Sequence, residues 1–508
     1  MVEKNIQKTV DNPVLVLGAT GYVGNRLVPF LAKRGYRVRA AARSIDRLSE
    51  RPFASHPGVE LAAADVFDRE SLEKACRGCG AVYYLVHSMN PEAGDFSDAD
   101  RRAAENMVRA AEKAGVGRII YLGGLGDESP DLSTHLRSRA EVGKILQSGS
   151  VPVTYLRAAM IIGSGSASFE ILRYLVDRLP LMITPRWVST QSQPIAVSNV
   201  LTYLAGCLEN PETKGRTFDI GGPDILTYHK LMEIYAQEAK LPRRFIIPVP
   251  VLTPRLSSYW IHLVTPVPAA LARPLAEGLK NPTVCREETI RKLIPQSLLT
   301  CRSAIRKSLA FSHHDLRSGE DEDFPPDFPA EGTHPGDPAW AGGTRFHDYQ
   351  RIVIEGKPED IWDPVERIGG RSGWYYANWL WRFRGLIDRI IGGAGLSRGR
   401  RSETTLKRGD RVDFWTVAAI DPRRELRLVA EMILPGCAML DFSIKQLGPG
   451  NTELQQRSWF VPSGQAGILY WYLLYPFHRI IFSGMLREIA RRSEKAVVRG
   501  PEFFRVGT

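Results

Sequence analysis

Three glycines, at positions 18, 21 and 24, follow a short run of aliphatic residues near the start of the chain. The run Val14 to Leu17 predicts a buried strand, and the stretch from Gly21 to Arg34 predicts a helix. Glycines in this order permit a tight turn, a close approach of the backbone to a diphosphate, and close packing of the helix on the strand. The helix N-terminus also offers free N–H groups to phosphates. We therefore predict a dinucleotide-binding βαβ unit whose contacts to the cofactor are Gly18, Thr20, Gly21, Tyr22, Val23 and Gly24.

The end of the second predicted strand distinguishes between the two nicotinamide dinucleotides. An acidic residue there would bind the ribose 2′-hydroxyl of NAD, but this chain has alanines followed by Arg43 and Ser44. The planar fork of Arg43 suits a 2′-phosphate because it makes paired, charge-assisted hydrogen bonds. We therefore expect NADP(H) in preference to NAD(H). The alternative is that Arg43 is a solvated residue with no role in binding.

Strand-like and helix-like segments alternate from residue 14 to about residue 250. After the first pair, strands are predicted at 37–42, 81–87, 118–122 and 153–157, and helices at 98–114 and 133–147. This alternation predicts an α/β fold of the Rossmann type, in which a doubly wound parallel sheet is covered by helices on both faces. A chain of 508 residues is too long for one hydrophobic core, so two or three domains are expected.

A sharp change of composition between Ser318 and Pro338 indicates a domain boundary. The stretch contains seven acidic residues, five prolines and no Lys or Arg, so it buries little apolar surface. Five predicted strands and three predicted helices follow it, the last helix running from about 466 to 492. We expect a NAD(P)-binding domain with a substrate-side extension over 13–311, an acidic, proline-rich linker over 312–344, and an α+β domain over 345–495. In the last of these a curved sheet would wrap the final helix.

Charge and cysteine content indicate the cellular compartment of the protein and the classes of partner that it binds. The net charge is +11, and from Arg345 onward 26 Lys and Arg residues stand against 18 Asp and Glu residues. The basic residues are dispersed rather than clustered, so we expect no nucleic-acid partner. Six scattered cysteines form no disulfide framework and the N-terminus has no signal peptide, which together predict a cytoplasmic protein. No Cys or His group has the spacing of metal ligands, so no metal is expected.

The longest apolar run extends from Ala466 to Phe482 and is interrupted by Pro476, His478 and Arg479. A spanning helix needs about 20 nearly uncharged residues, so a buried helix is the favoured interpretation. Peripheral membrane contact is the second interpretation. In that case the residues at the headgroup level would be Tyr470, Trp471 and Tyr472, with Arg487, Arg491 and Arg492 nearby.

Several segments of the first half carry a family resemblance. They are the glycine motif GATGYVG, Asp65-Val66, and the stretches 83–89, 194–200 and 217–223. With them, residues 13 to about 250 resemble atypical short-chain dehydrogenases/reductases of the NmrA-like type. The resemblance implies that Asp65 and Val66 touch the adenine. It also implies that Val86 and His87 flank the adenine ribose or the nicotinamide half of the cofactor.

The chain departs from that family where active members carry out proton transfer. Those members use a Tyr-x-x-x-Lys on the helix after the fifth strand and a Ser at the end of that strand. Here His135 and Arg139 stand where the Tyr and Lys would align, and no Ser occupies the usual place. His135 is the best available acid or base and Arg139 could hold the ribose, but Arg does not release its proton. An ordinary surface His and Arg is the alternative interpretation.

The last third carries a second resemblance, based on Ile361 to Val365, Gly369 to Tyr375 and Arg411 to Trp415. Residues 345–492 resemble a bacterial domain of unknown function that is related to the START-like, polyketide-cyclase-type helix-grip folds. Such folds hold apolar ligands between a sheet and a long helix. Six aromatic residues would then line a ligand site or simply form core: Trp374, Tyr375, Trp379, Trp381, Trp415 and Trp459.

Three functions remain open at this stage, and the third and weakest places the protein on the membrane face, where it handles a lipid or quinone. The first is an oxidoreductase that transfers a hydride between NADP(H) and an apolar carbonyl or quinone-like substrate. The second is a redox sensor or assembly factor that binds NADP(H) without turnover, which the missing Tyr, Lys and Ser favour.

Overall fold

The computed structural model describes residues 12–87, 96–126, 132–249, 263–318 and 330–504. Within these ranges the chain forms two compact units. Unit 1 contains the described residues up to 311 together with 330–343, and unit 2 contains 312–318 and 344–504. Each unit has its own sheet and its own hydrophobic core.

A seven-stranded parallel sheet forms the centre of unit 1. Its strands are β1 (Val14–Leu17), β2 (Val38–Ala42), β3 (Val59–Ala63), β4 (Ala81–Tyr84), β5 (Ile119–Gly124), β6 (Val153–Ala158) and β11 (Thr217–Ile220). They lie side by side in the order β11-β6-β5-β4-β1-β2-β3. The chain order reverses between β1 and β4, and in such sheets ligands bind outside the carboxyl ends of the strands at that point.

Helices cover both faces of this sheet or extend it. They are α1 (Tyr22–Lys33), α2 (Ile45–Ser49), α3 (Arg69–Cys76), α4 (Phe96–Ala114), α5 (Thr134–Gln147), α6 (Ala167–Arg178), α7 (Val197–Glu209), α8 (Tyr228–Glu238), α9 (Ala269–Gly278), α10 (Thr289–Leu293) and α11 (Cys301–Ser318). All four residues of β1 are buried, because one face packs under α1 and α7 and the other under α3 and α4. The predicted Rossmann-like α/β fold is therefore confirmed.

Three short strand pairs accompany α6 to α8 on the carboxyl side of the sheet. Their members are β7 (Ile161–Ile162), β8 (Leu181–Pro185), β9 (Gln191–Ser192), β10 (Ile195–Ala196), β12 (Leu226–Thr227) and β13 (Phe245–Val249). β7 pairs with β10 and β8 with β13 in parallel, and β9 pairs with β12 antiparallel. A separate hydrophobic cluster under α6, α8 and α9 holds this extension together.

Residues 330–343, which the composition assigns to a linker, pack into unit 1 instead. The guanidinium of Arg26 on α1 bonds both carboxylate oxygens of Asp337 and the carbonyls of Ala330 and Gly332. Glu331 is 1% exposed and accepts a hydrogen bond from Ser198 on α7. The acidic residues of this stretch thus neutralise a buried arginine and bond a helix hydroxyl.

Unit 2 is built on a seven-stranded antiparallel sheet. Its strands are β14 (Phe346–Glu355), β15 (Arg411–Val412), β16 (Trp415–Asp421), β17 (Glu425–Ala430), β18 (Gly436–Gly448), β19 (Asn451–Pro462) and β20 (Val497–Phe503). Their order is β15-β16-β17-β18-β19-β14-β20. The four consecutive strands β16 to β19 form the predicted meander. Strand β20 was not predicted from the sequence.

Three helices complete unit 2: α12 (Pro358–Glu366), α13 (Asn378–Ile390) and α14 (Gly464–Arg492). The C-terminal half of α14 buries Phe482, Met485 and Ile489 against the sheet. The α+β class is consistent with the prediction. Among the helices of the described ranges, none combines the length and apolarity needed to cross a bilayer.

Candidate functional site

The glycine turn between β1 and α1 has the geometry that a diphosphate cradle needs. Gly18 has a φ of +83°, and a Cβ placed on it would lie 2.9 Å from the carbonyl oxygen of Leu85. A Cβ on Gly24 would lie 2.2 Å from the carbonyl oxygen of Gly18. Any side chain at either position would force the turn away from β4 or α1. The glycines at these two positions are therefore required by close backbone packing.

The N-terminus of α1 points its first amides at the carboxyl edge of the sheet. Gly21 precedes the helix in extended conformation and donates to the carbonyl of Gly18 at 2.9 Å. The first amides of an α-helix have no partner within the helix and favour an anion. The cradle therefore fits the diphosphate of a nicotinamide dinucleotide, as predicted from the motif.

Three other predicted cofactor contacts, Thr20, Tyr22 and Val23, differ in the contacts that they make within unit 1. The carbonyl of Thr20 accepts a hydrogen bond from Arg51 at 3.5 Å, and Val23 packs partly against the core. The side chain of Tyr22 packs within unit 1, where its ring lies under the guanidinium of Arg26 at 4.2 Å and its hydroxyl lies beside Gly163. Its hydroxyl is buried with no partner among the described residues. Of Tyr22, the backbone amide and not the phenol therefore belongs to the glycine turn.

Arg43 lies at the end of β2 with its side chain exposed to solvent. The next residue, Ser44, is the N-cap of α2 and accepts a hydrogen bond from the amide of Arg47 at 3.3 Å. Arg47 is exposed on the first turn of this helix. From the sequence, Ser44 was named beside Arg43 but not as a helix cap, and Arg47 was not identified. The sequence contains a signal for this cap, because a Ser directly before a short helix is a typical N-cap.

Asp65 and Val66 follow β3 in a tight turn. The Asp65 carboxylate accepts from the amide of Phe67 at 3.0 Å, and its own amide donates to Ser71. Val66 is buried, and its carbonyl accepts from Asn106 on α4 at 3.1 Å. Both residues are fixed by these bonds beside the carboxyl end of the sheet, where the resemblance places the adenine.

Val86 and His87 follow β4, directly beside the glycine turn. The amide of Leu85 donates to Leu17 at 3.1 Å, which holds this segment against β1. His87 is nearly buried, and its Nδ1 lies 3.4 Å from Oδ2 of Asp100 on α4. The same carboxylate oxygen accepts a hydrogen bond from Ser138 on α5 at 2.9 Å. Asp100 therefore links β4, α4 and α5 at one point.

The structure also brings the predicted catalytic residue His135 to this point. The ring centroids of His87 and His135 are 5.1 Å apart, with their planes tilted by 54°. Neither Nε2 of His87 nor Nδ1 of His135 has a hydrogen-bond partner among the described residues, although both atoms are buried. Buried polar atoms are almost always hydrogen-bonded in a working protein. The pair is thus a candidate site for a polar ligand atom.

The electrostatic environment keeps both imidazoles neutral. Burial lowers the pKa of His87 to about 4, with a further contribution from the charge of Arg139. Burial also lowers the pKa of His135 well below its usual value, and Arg139 and His87 lower it further. At neutral pH His135 is therefore a neutral N–H donor. Burial therefore opposes the protonated form that an imidazole acid needs.

Arg139 lies one helical turn beyond His135 and is partly exposed. Its carbonyl accepts from the hydroxyls of Tyr121 and Tyr155, at 3.1 and 3.4 Å. These two buried phenols fix α5 on the sheet, and burial raises their pKa. They are bound to the helix backbone and do not replace the missing catalytic tyrosine.

Sequence reasoning missed the two residues that organise this site, Asp100 and Ser138. Ser138 stands between His135 and Arg139 in the sequence, but its bond to Asp100 joins residues 38 positions apart. Within the described ranges no group of three Asp, Glu, His or Cys side chains is placed to hold a metal ion.

Two family descriptions match separate parts of the chain. Residues 18–171 match the family described as NAD(P)H-binding. Residues 340–485 match DUF2867, a family described as a protein of unknown function. Together these matches cover the glycine turn, the histidine pair and most of the sheet of unit 2.

Curated relatives are similar to the first half of the chain. Over 242 residues it is 28% identical to the mitochondrial NADH dehydrogenase [ubiquinone] 1 alpha subcomplex subunit 9 of Arabidopsis thaliana, covering 46% of this chain and 60% of that one. Over 240 residues it is 28% identical to the (4-alkanoyl-5-oxo-2,5-dihydrofuran-3-yl)methyl phosphate reductase of Streptomyces griseus, covering 46% of this chain and 76% of that one. The chain thus spans less than two thirds of the plant relative's length.

Among solved structures, the triphenylmethane reductase of Citrobacter sp. complexed with NADP(H) aligns with a TM-score of 0.48 and 21% identity. The alignment covers 58% of this chain and 99% of that one. From the family matches and the glycine geometry we conclude that this chain carries an NAD(P)H-binding domain, and that a DUF2867 domain follows it.

Proposed function

We propose that unit 1 is an NADP(H)-dependent oxidoreductase that acts on an apolar carbonyl or quinone-like substrate. The observation that carries the proposal is the histidine pair, His87 and His135, buried beside the glycine turn with an unpartnered nitrogen on each ring. Buried polar atoms of this kind, close to a cofactor cradle, are typical of a reaction site rather than a structural one.

NADP(H) is supported over NAD(H) by the residues that follow β2. Arg43 and Arg47 are exposed on either side of the Ser44 cap, so one short segment offers two guanidinium groups and a hydroxyl. The 2′-phosphate of NADP(H) is negatively charged and pairs well with these two guanidinium groups. The 2′-hydroxyl of NAD(H) carries no charge and gains much less from them. No acidic side chain stands at the end of β2 to bind that hydroxyl.

When bound, NADPH would supply a hydride from its nicotinamide ring and leave as NADP+, while the protein residues bind and orient the substrate and water supplies the proton that completes the product. The turn Gly18 to Gly24 holds the diphosphate, and Arg139 can contact the ribose. His135, which is neutral, donates an N–H hydrogen bond to the substrate oxygen. Asp100 accepts from His87 and Ser138 and so fixes the ring that faces His135. The nearby charge of Arg139 stabilises negative charge that develops on that oxygen.

The substrate class is supported by the names of the relatives. One relative carries ubiquinone in its name, and another is a reductase of an oxo-dihydrofuran. These names concern those proteins, and for this chain they indicate which compounds to test first.

The test is NADPH oxidation by the full-length protein with a panel of short-chain quinones and apolar aldehydes. We expect His135→Ala to lower kcat by about 100-fold, the usual cost of removing one hydrogen-bond donor to a developing oxyanion, while NADPH affinity stays within about twofold. His135→Gln keeps an N–H donor and should recover part of the rate. His229→Ala changes a partly exposed histidine on α8, paired with Glu233, and is the matched control.

Tight NADPH binding without oxidation of any member of the panel would overturn the enzymatic proposal. That outcome would favour the redox sensor or assembly factor. Equal activity of His135→Ala and the control variant would also count against the assigned role of the histidine pair.

For unit 2 we propose a helix-grip relationship, with an apolar small molecule held between the sheet and α14. Of the aromatic residues that could line this site or form core, Trp374 supports the core interpretation. It is 2% exposed and stacks on Trp381 at 4.8 Å. What supports a ligand is Gln456, which is 1% exposed and faces the α14 side of the sheet. Both amide atoms of Gln456 are buried without a partner among the described residues.

A ubiquinone analogue should stabilise unit 2 thermally if this proposal holds. The gain should disappear in Gln456→Leu, which removes the polar contact and keeps the volume. An unchanged melting temperature in the wild type would overturn it.

A further inference from the structure

Helix α13 of unit 2 turns an apolar face to solvent. The exposed residues recur at helical spacing on one side, and they are Trp379, Phe383, Leu386, Ile387 and Ile390. Trp379 is 69% exposed and Ile390 is 76% exposed. The opposite side of the helix is already packed, because Gly385 and Asp388 are buried there. The exposed face is therefore additional to the face that anchors the helix in the unit.

The N-terminal half of α14 repeats this arrangement. Its exposed residues follow the spacing i, i+3, i+4, i+8 and i+11, and they are Leu469, Tyr472, Leu473, Phe477 and Ile480. Between them Trp471 points inward and stacks on Phe346 at 5.3 Å. Of the aromatic residues that we placed at a membrane from the sequence, Trp471 is thus buried and Tyr472 is exposed. The stripe is about 17 Å long at the usual helical rise.

Helices α13 and α14 are both bonded to the same loop, residues 431–435. The amide of Ile433 donates to the buried carboxylate of Asp388 on α13 at 2.8 Å. The carbonyl of Pro435 accepts from Ser463, the residue before α14, at 2.8 Å. Ile433 itself is 47% exposed between them. We call the two stripes together with Ile433 the apolar helix face.

A face with this many large exposed side chains is unusual for an isolated soluble domain. Single exposed leucines are ordinary, but contiguous apolar patches above a few hundred Å² mark an interaction surface. Such a face gains free energy only when a partner or a lipid phase removes it from water.

The charges around this face identify its partner. α13 carries three arginines, of which Arg382 and Arg389 are exposed, and its one acid, Asp388, is buried. α14 carries Arg479 beside the stripe and has no acidic residue before Glu488. In the loop, the carboxylate of Glu431 pairs with the guanidinium of Arg411 at 4.0 Å and also accepts a hydrogen bond from Thr416. The rim is therefore cationic, which complements a surface of negative charge.

We propose that the apolar helix face docks unit 2 on an anionic phospholipid surface. The two stripes would lie in the plane of the interface with their apolar side chains among the acyl chains, and the arginines would contact the phosphates. The proposal rests on unit 2 alone, so it does not depend on catalysis by unit 1.

The test is co-sedimentation of the full-length protein with vesicles of three parts phosphatidylcholine to one part phosphatidylglycerol. We expect affinity about tenfold above that for pure phosphatidylcholine at low salt, and a decrease as salt screens the arginines. Leu473→Glu and Phe477→Glu should each weaken binding by about tenfold, because a charge replaces a buried apolar group. Leu447→Glu is the matched control, since Leu447 is 52% exposed at the far end of β18.

The fluorescence of Trp379 measures contact with lipid directly, and a folding defect would not produce the same change. Brominated lipid should quench tryptophan emission in the wild type. Trp379→Phe should keep vesicle binding while losing part of that quenching. Absence of vesicle binding would overturn the proposal. So would self-association that Phe477→Glu abolishes, because that result would show that a second copy of the chain covers the face.

Discussion

The guanidinium of Arg26 and the carboxylate of Asp337 form a buried ion pair with a closest distance of 2.7 Å, between residues 311 positions apart. Their side chains are 0% and 2% exposed. Arg26 also bonds the carbonyls of Tyr22, Ser164, Ala330 and Gly332. This arginine therefore ties α1, the helix that forms the cofactor cradle, to the stretch 330–343.

Removing one partner of this pair should destabilise unit 1 strongly. Asp337→Ala leaves a buried guanidinium without its counter-ion, for which the usual loss is about 3–5 kcal/mol of unfolding free energy. Urea unfolding followed by circular dichroism measures it. The apolar double variant Arg26→Met with Asp337→Leu should lose less than the single variant. Asp98→Ala, in the exposed pair with Arg101, is the control and should change stability little.

Gly18→Ala should abolish detectable NADPH binding and lower stability. A Cβ there meets the carbonyl of Leu85 at 2.9 Å in addition to the strain of a positive φ. Gly35→Ala is the matched control, because Gly35 has a φ of +84° and nothing within 4 Å of the added Cβ. The strain alone should cost about 1–2 kcal/mol at both positions. Equal NADPH affinity in the two variants would contradict the assigned cradle.

The choice of cofactor should depend on the segment after β2. Arg43→Ala and Arg47→Ala should each raise the Kd of NADPH by about tenfold, the worth of one charge-assisted hydrogen-bonded contact, and leave that of NADH nearly unchanged. Arg77→Ala is the control, because Arg77 is exposed between α3 and β4, at the amino ends of the strands and not at the carboxyl ends where Arg43 lies. Isothermal titration with both nucleotides checks the prediction. Parallel losses for NADPH and NADH would refute the 2′-phosphate contact.

Stability should fall as the pH is lowered from about 6.5 toward 4. Burial holds the pKa of His87 near 4, below its usual value near 6.5, so in this window the unfolded chain binds a proton that the folded chain does not. The contribution of His87 is fully present above the unfolded pKa and is lost as the pH falls to the folded pKa. It amounts to about 3 kcal/mol.

Urea midpoints at a series of pH values measure this dependence. His87→Asn should reduce the slope between pH 6.5 and 4, because the replacement does not titrate there. His478, whose pKa burial also lowers to about 4, lies in unit 2 and should retain its own contribution. An identical slope with and without His87 would count against its burial in neutral form.

The dinucleotide fold was predictable because its signal is local. A buried strand, three glycines and an amphipathic helix occur within about 20 residues, and each has one conformation that satisfies its backbone and its apolar face. The meander of unit 2 was predictable for the same reason, since short turns join its alternating strands. Arg43 could be found because it directly follows a strand whose end is known.

The histidine pair could be predicted only in part. The helix register identified His135, but its partners His87 and Asp100 reach it from other elements. Burial then changed the chemistry, because an imidazole that the sequence suggests as a titrating acid is held neutral.

By itself the sequence determined the cofactor-binding unit, the division of strands and helices in the second half, and the arginine that follows β2. Tertiary structure alone decided that the acidic stretch 330–343 packs on α1, and that α13 and α14 expose one apolar face while burying another. The physical reason is the same in each case. Composition and periodicity report what a segment is able to bury, whereas the partner that removes it from water lies far away along the chain, as Asp337 does from Arg26.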